Sequence, residues 1–275
     1  MASLLALCGA LSWGIGDFLG GLASRRLQVL TVLAVSQAIG LAGVVLWVAV
    51  AREPFPGVTE LLPAAAGGIA GLIGLAALYR GLAIGAMGIV APISAASPIV
   101  PLTVDAAQGT VPGTAQWFGI VLVLTGVVAL SREPSKAGGR VAVGTGLALF
   151  AALGFGGFVL GLDASADESA YWAVVSARST AVALAVTAAL LTTTLRPPRA
   201  LLPTLVAIGV VDTMANVLVA AATTKGAVGI VAVLSSLYPV VTVVLARVVL
   251  GERLSGARRI GGVAALTGAV LVAAG

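Results

Sequence analysis

The 275-residue chain is 60% hydrophobic and 9% charged, whereas an average soluble domain carries roughly 25% charged residues. Because so few charges cannot cover a water-facing surface, the composition excludes a soluble globular domain and predicts a protein embedded in a bilayer. The net charge of +5 comes from basic residues scattered over short connections, which argues against a nucleic-acid-binding face.

Ten apolar runs reach the length of about 20 residues that a helix needs to cross the hydrocarbon core. The connections between them carry most of the charges, prolines and glycines, and the runs lack the alternating polarity that indicates membrane strands. The predicted fold class is therefore an all-α membrane protein with ten transmembrane helices. The predicted spans are residues 3–22, 29–50, 61–80, 87–105, 114–131, 143–162, 170–194, 201–222, 228–249 and 258–274.

The chain contains an internal repeat. Most of Gly85–Ala91 recurs 141 residues later as Gly226–Ala232, and Pro98 aligns with Pro239 at the same shift. With one residue of slip, residues 124–126 align with 266–268 and residues 12–14 with 154–156. A nearly constant register over several helices makes chance identity the weaker interpretation.

The repeat predicts two five-helix halves, residues 1–135 and 141–275. Because each half has an odd number of helices, the second half enters the membrane from the opposite side, which gives the inverted repeats found in many secondary transporters. Apart from Arg178, which lies within a span, all basic residues except Arg52 and Lys225 fall on the connections of one side. The positive-inside rule then predicts that both termini lie outside the cytoplasm. The expected location is the plasma (inner) membrane.

Several motifs together resemble the EamA-type drug/metabolite transporter superfamily. The stretch from Tyr79 through Gly88–Pro92 to Ser97-Pro98 resembles the third and fourth helices of that family. A stretch in the second half resembles the same two helices of the family, and Trp13-Gly14 is similar to the motif of its first helix. The residues of the second-half stretch are Ser236, Leu237, Tyr238, Pro239, Gly251, Glu252, Arg253, Leu254 and Gly261.

The resemblance implies a ten-helix fold with a central cavity, lined mainly by the first, third, fourth, sixth, eighth and ninth helices. It also implies transport of small organic metabolites without ATP hydrolysis, but it supplies no substrate. Two departures make the halves unequal. The first half has Gly109-Thr110 where the second has Gly251-Glu252, so it lacks the usual acidic residue. The arginine common in the second helix of each half is present as Arg178, but the first half has Ser36 at that position.

Ionisable residues inside the spans are candidate functional residues, because placing them in hydrocarbon is costly. Asp17 lies in the first span, and Asp212 shares one face of the eighth span with Asn216, four residues later. We consider that Asp17 or Asp212 binds a proton for coupling, or that one of them pairs with a cationic substrate group. The structural alternative is that Arg178 neutralises an aspartate in a permanent buried pair.

Prolines mark the fourth and ninth spans, where we predict hinges at Pro92, Pro98 and Pro239, since a proline frees a backbone carbonyl and kinks the helix. Neighbouring polar groups are predicted to contact substrate; the alternative is that the hydroxyls bond to their own helix backbone. These predicted substrate contacts are Ser94, Ser97, Ser235, Ser236 and Tyr238.

Two aromatic residues, Trp13 and Tyr79, are predicted to form a wall around a ring-bearing or quaternary-ammonium substrate, with simple packing as the alternative. Two pairs of glycines, Gly119/Gly126 and Gly261/Gly268, each lie seven residues apart and so on one face of a helix. They indicate close helix contacts either between the halves or between subunits, and a homodimer is therefore possible.

The predicted function is a secondary transporter, an exporter or exchanger of small organic metabolites that works by alternating access, with proton coupling as a further hypothesis. Its expected partners are a small-molecule substrate and the lipid bilayer. An enzyme is not expected, and no cofactor, metal or catalytic residue is predicted, because the chain has no histidine and its lone Cys8 has no base. The alternative is a non-transporting membrane scaffold or a lipid-handling membrane protein.

Overall fold

The computed structural model describes residues 1–24, 26–84, 94, 96–131, 141–192, 197–250 and 256–274. Helices are the regular secondary structure of these ranges, joined by turns and short connections, and this confirms the predicted class. The helices are α1 (Ala2–Ser24), α2 (Val29–Ala51), α3 (Val58–Ile84), α4 (Ile99–Ala107), α5 (Thr114–Ser131), α6 (Val141–Thr192), α7 (Leu202–Thr223), α8 (Val228–Ser235), α9 (Tyr238–Leu250) and α10 (Gly256–Ala274).

Five helical stretches within the described ranges are long and apolar enough to cross a membrane: Ala2–Ala23, Leu30–Ala51, Val58–Ala77, Gly146–Thr192 and Arg199–Thr223. The fourth has 47 residues, which is enough for two spans of about 20 residues each. Shorter apolar helices cover Thr114–Ala129, Val228–Thr242 and Arg259–Ala274. The molecule is thus a multi-pass membrane protein.

The boundary between the sixth and seventh predicted spans differs from the prediction. Residues 163–168 were expected to be a connection because they are rich in acidic residues, but they are helical, and α6 departs from helical geometry at Ser169 (φ −166°, ψ 114°). Trp172 N–H donates to Ser169 Oγ at 3.3 Å, so the serine caps the segment that follows. Acidic side chains at a helix end near the membrane surface do not prevent helix formation, and the chain direction changes only at the cap.

The helices that carry the predicted hinges are broken at equivalent places in the two halves. A turn at residues 96–98 precedes α4, and a turn at residues 236–237 separates α8 from α9. Ile99 N–H donates to the Ala96 carbonyl at 3.0 Å, and Val240 N–H donates to the Leu237 carbonyl at 2.9 Å. Both the donors and the acceptors of these two bonds are 141 residues apart, so the two breaks lie at equivalent positions of the repeat.

The contacts between helices repeat in the same way. α1 packs against α7, and its equivalent, the first segment of α6 (residues 141–168), packs against α3, so each half supplies one helix to each contact. A Cβ added at Gly14 would lie 2.7 Å from the Tyr238 carbonyl oxygen, and one at Gly156 would lie 3.0 Å from the Ser97 carbonyl oxygen. The two glycines therefore let α1 and α6 approach equivalent points of the broken helices.

Helices α5 and α10, the final helices of the two halves, also pack against each other. A Cβ at Gly126 would lie 2.4 Å from the Ala265 nitrogen and 2.6 Å from the Gly261 carbonyl oxygen, and one at Gly119 would lie 2.6 Å from the Gly268 carbonyl oxygen. The structure thus resolves the two alternatives for these glycines in favour of contact between the halves. A homodimer would have to use other faces of the protein.

We expect Gly126→Ala to lower stability by about 1–3 kcal/mol, because its methyl group would overlap backbone atoms that can move only if the two helices separate. The measurement is thermal unfolding of the detergent-purified protein. The matched control is Gly43→Ala on α2, where an added Cβ meets nothing within 4 Å, so stability should be unchanged or slightly higher. Equal midpoints for the two variants would contradict the close contact.

Candidate functional site

Helices α1, α7 and α9 bring two aromatic residues and an amide together. The Trp13 indole N–H donates to Asn216 Oδ1 at 2.9 Å. The Trp13 and Tyr238 rings lie edge to face, with centroids 6.3 Å apart and an interplanar angle of 79°. Sequence reasoning paired Trp13 with Tyr79, whose side chain lies outside the part of the chain that the structure describes. The aromatic partner that the structure shows is Tyr238.

Asp17 lies one turn after Trp13 on α1, and its side chain is exposed although it sits in the middle of a membrane span. The neighbouring glycines define where it points. Gly14 faces α9 and Gly16 faces α7, where an added Cβ would lie 3.7 Å from Asp212 Cβ. At about 100° per residue, Trp13 and Asp17 fall between these two directions. Asp17 therefore faces an accessible space inside the bundle.

Arg178, in the second segment of α6 (residues 170–192), is held by two side chains from other helices. Its Nη2 donates to Asp212 Oδ2 on α7 at 2.6 Å, and its Nη1 donates to Gln37 Oε1 on α2. Gln37 Nε2 in turn donates to the same Asp212 oxygen at 3.1 Å. The Arg178 side chain is 2% exposed and that of Asp212 is 25% exposed, so the guanidinium group is buried and the carboxylate is partly accessible.

Gln37 is a residue that sequence reasoning missed. It lies 141 residues before Arg178, so the repeat itself pairs these two positions. The earlier alignment assigned Ser36 as the counterpart because it used the one-residue slip, whereas the Ser36 hydroxyl donates to the Leu33 carbonyl of its own helix at 3.4 Å. The 141-residue shift that relates the two prolines would have identified Gln37.

Asp17 differs from Asp212 in its partners. The two carboxylates are close enough for their charges to interact. Asp212 is neutralised by Arg178, whereas no hydrogen bond or ion pair reaches Asp17 from the side chains that the structure describes. This difference, which the sequence alone could not give, separates the roles of the two aspartates.

Of the four serines near the helix breaks, three are buried and Ser97 is half-buried. Ser236 Oγ donates to the Val233 carbonyl at 2.7 Å, which is the alternative expected of a hydroxyl that bonds its own helix. Ser94 is 6% exposed and Ser235 is 2% exposed, and the Ser235 hydroxyl has no hydrogen-bond partner among the described residues. Ser97 is half-buried, with its carbonyl against Gly156.

The structure thus brings together some predicted site residues and leaves others apart. The residues that meet around the interior space are Trp13, Asp17, Arg178, Asp212, Asn216 and Tyr238, with Gln37 added; we call this set the interior site. Pro98 and Pro239 lie beside the helix breaks, and their role as hinges stays a prediction. Pro92 lies outside the described residues.

A second polar contact joins the two halves away from the interior site. Asp105, near the end of α4, is 5% exposed, and its Oδ2 accepts a hydrogen bond from the Gly229 N–H of α8 at 2.7 Å. The Val228 N–H lies near the same carboxyl group and interacts favourably with it. A carboxylate at the first turn of a helix satisfies free backbone N–H groups and interacts well with the helix dipole. Asp105 therefore ties α4 of the first half to α8 of the second.

We expect Asp105→Ala to lower stability by about 1–2 kcal/mol, because it leaves the buried Gly229 N–H of α8 without an acceptor. Thermal unfolding in detergent measures the effect. Asp105→Asn is the matched variant, since it keeps an acceptor oxygen and loses only the charge, and it should lose less than Asp105→Ala. A native midpoint for the alanine variant would show that this contact contributes nothing.

These features define a class of protein: a multi-pass helical membrane protein whose two inverted repeats enclose an accessible, charged interior. The chain belongs to the EamA-like transporter family, whose model matches residues 1–132 and 142–274. The resemblance noted in the sequence is therefore confirmed, and the chain is a membrane transporter of the drug/metabolite type. At the level of the family, its members are transporters and not enzymes.

Several solved structures have a similar fold. One of them, a crystal structure of a protein, is similar over 98% of this chain and 96% of its own, with a TM-score of 0.75 and 20% sequence identity. At that identity the likeness shows the fold alone. No curated protein matches the chain.

Proposed function

We propose that this protein is a secondary transporter that exports or exchanges small organic metabolites by alternating access. The observation that carries the proposal is Asp17, an accessible carboxylate inside the bundle with no ion-pair partner among the described side chains. A permanently structural carboxylate at membrane depth is expected to be paired, because an isolated charge there is costly. An unpaired one suits a group that gains and loses a partner during a cycle.

The repeat supplies a route for the conformational change. In the proposal, the halves rock against each other and the interior site opens first to one side of the membrane and then to the other. The breaks before α4 and between α8 and α9 lie at equivalent positions, where the backbone can bend with little loss of hydrogen bonding. Pro98 and Pro239 act as the hinges in this scheme, with Pro92 as a third.

Proton coupling is part of the proposal. Asp17 is the group that binds and releases the proton, whereas Asp212 already forms an ion pair with Arg178, with Nη2 and Oδ2 2.6 Å apart. We further propose that the protein lies in the plasma (inner) membrane. Its termini are proposed to lie outside the cytoplasm, because the basic residues fall on the connections of the other side.

The test is counterflow in proteoliposomes that contain the purified protein. A panel of amino acids, nucleobases, polyamines and tetraalkylammonium ions is screened for stabilisation of the detergent-purified protein, since a bound ligand raises apparent stability. Each stabilising compound is then loaded inside the vesicles, and the uptake of its labelled form is measured. The proposal expects transient accumulation above equilibrium. No counterflow for any stabilising compound would favour the scaffold alternative.

A further inference from the structure

The described part of the interior site carries more negative than positive charge. Asp17 and Asp212 supply two carboxylates, and Arg178 supplies one guanidinium group. Arg178 and Asp212 form an ion pair, and Gln37 is hydrogen-bonded to both of them. When Asp17 is deprotonated, the net charge of the set is about −1 and resides on Asp17, the member whose side chain is exposed to the interior space.

Arg178 is not free to attract an anion. Its two terminal nitrogens already donate to Asp212 and Gln37. Its Nε has no partner among the described residues, but that atom is buried and only 2% of the side chain is exposed, so an anion does not reach it. An anionic substrate would have to displace the Asp212 carboxylate from a buried guanidinium group, which is unfavourable because the displaced carboxylate loses its counter-charge. It would also approach Asp17, a second negative charge.

The aromatic pair lies one helical turn from Asp17. Trp13 is fixed in orientation by its bond to Asn216, and Tyr238 meets it edge to face. Aromatic rings attract cations through their negative faces and offer apolar surface to an organic group. A bare metal ion is a poor fit, because hard cations need six or more oxygen ligands and this arrangement offers one free carboxylate.

From this geometry we infer that the transported substrate is an organic cation, whose positively charged nitrogen pairs with Asp17 and whose apolar part packs on Trp13 and Tyr238. The inference rests on the proposed transport function and specifies its substrate class. Asp212 has a positioning role, because it holds Arg178 away from the substrate charge.

Three probes with the same phenyl ring and different charge test the inference: phenethylammonium (+1), phenethyl alcohol (0) and 3-phenylpropanoate (−1). Isothermal titration calorimetry of the full chain in detergent measures their binding. We expect phenethylammonium to bind at least tenfold more tightly than the alcohol, and the carboxylate not to bind. Preferred binding of the neutral or the anionic probe would overturn the inference, as would no binding of phenethylammonium, tetraethylammonium or spermidine.

Asp17→Asn should weaken binding of phenethylammonium at least tenfold and leave the alcohol unaffected. Asp167→Asn, an exposed aspartate at the far end of the first segment of α6, is the matched control and should bind like the native protein. An unchanged affinity in Asp17→Asn would overturn the inference. If that variant does not fold, the charge series in the native protein decides alone.

Failure of this inference can be separated from failure of the proposed function. Counterflow of a neutral or anionic compound by the native protein, with no binding of organic cations, would leave the transporter standing and remove the cation. Binding of cations without counterflow of any of them would keep the site and remove transport.

Discussion

Asp17→Asn is expected to reduce transport at least about 100-fold while leaving the protein folded. In the proposed cycle Asp17 pairs with the charged nitrogen of the bound substrate. Losing one partner of such a pair costs about 2–5 kcal/mol, and 2.7 kcal/mol corresponds to a factor of about 100. An asparagine can neither bind a proton nor balance a cation. Because no described side chain pairs with Asp17, its removal should change the unfolding midpoint little. Counterflow in proteoliposomes is the readout, beside thermal unfolding of the same preparation.

Two variants make this experiment specific. Asp17→Glu keeps the charge on a longer side chain and should retain part of the activity, and Asp167→Asn removes a carboxylate outside the interior site and should retain all of it. Full transport by Asp17→Asn would mean that the accessible carboxylate takes no part in the cycle. Loss of both transport and folding would show that Asp17 is structural.

The second large effect concerns the buried ion pair. Asp212→Asn should lower stability by about 3–5 kcal/mol, because it leaves the guanidinium group of Arg178 buried without a counter-charge. For a chain of this size that amounts to at least about 6 °C in the unfolding midpoint. Thermal unfolding in detergent, followed by tryptophan fluorescence, measures it.

A double variant separates the pair from its members. Arg178→Met combined with Asp212→Leu replaces both charges by apolar groups of similar size, so it should recover most of the stability that Asp212→Asn loses. The two predictions also differ in kind, since removing Asp17 affects transport and removing Asp212 affects stability first. A loss below 1 kcal/mol for Asp212→Asn would show that water already reaches Arg178.

Features that depend on one segment could be predicted from the sequence. The apolar runs predicted the helices, and the cost of charge in hydrocarbon singled out Asp17, Arg178 and Asp212. The spacing of Asp212 and Asn216 correctly placed both on one face of α7. Each of these properties is local, so no knowledge of neighbouring helices was needed.

Pairings between distant helices were not predictable in the same way. Nothing in the sequence distinguishes Tyr238 from Tyr79 as the partner of Trp13, because the choice depends on which helix lies beside α1. The pairing of Arg178 with Asp212, and not with Asp17, depends equally on the arrangement of helices. The break at Ser169 was misplaced because acidic residues look like a connection, although they fit the exposed end of a helix.

The contact between Gln37 and Arg178 joins two positions that the repeat makes equivalent. A chain assembled from two identical halves, or two copies of one half, would therefore set each such residue against itself. Two arginines at this point would repel each other in a medium of low dielectric. Two glutamines would leave Asp212 as a second uncompensated charge. A duplicated gene can reach the observed arrangement only after its copies diverge here, so this position makes a single covalent chain advantageous over a symmetric dimer.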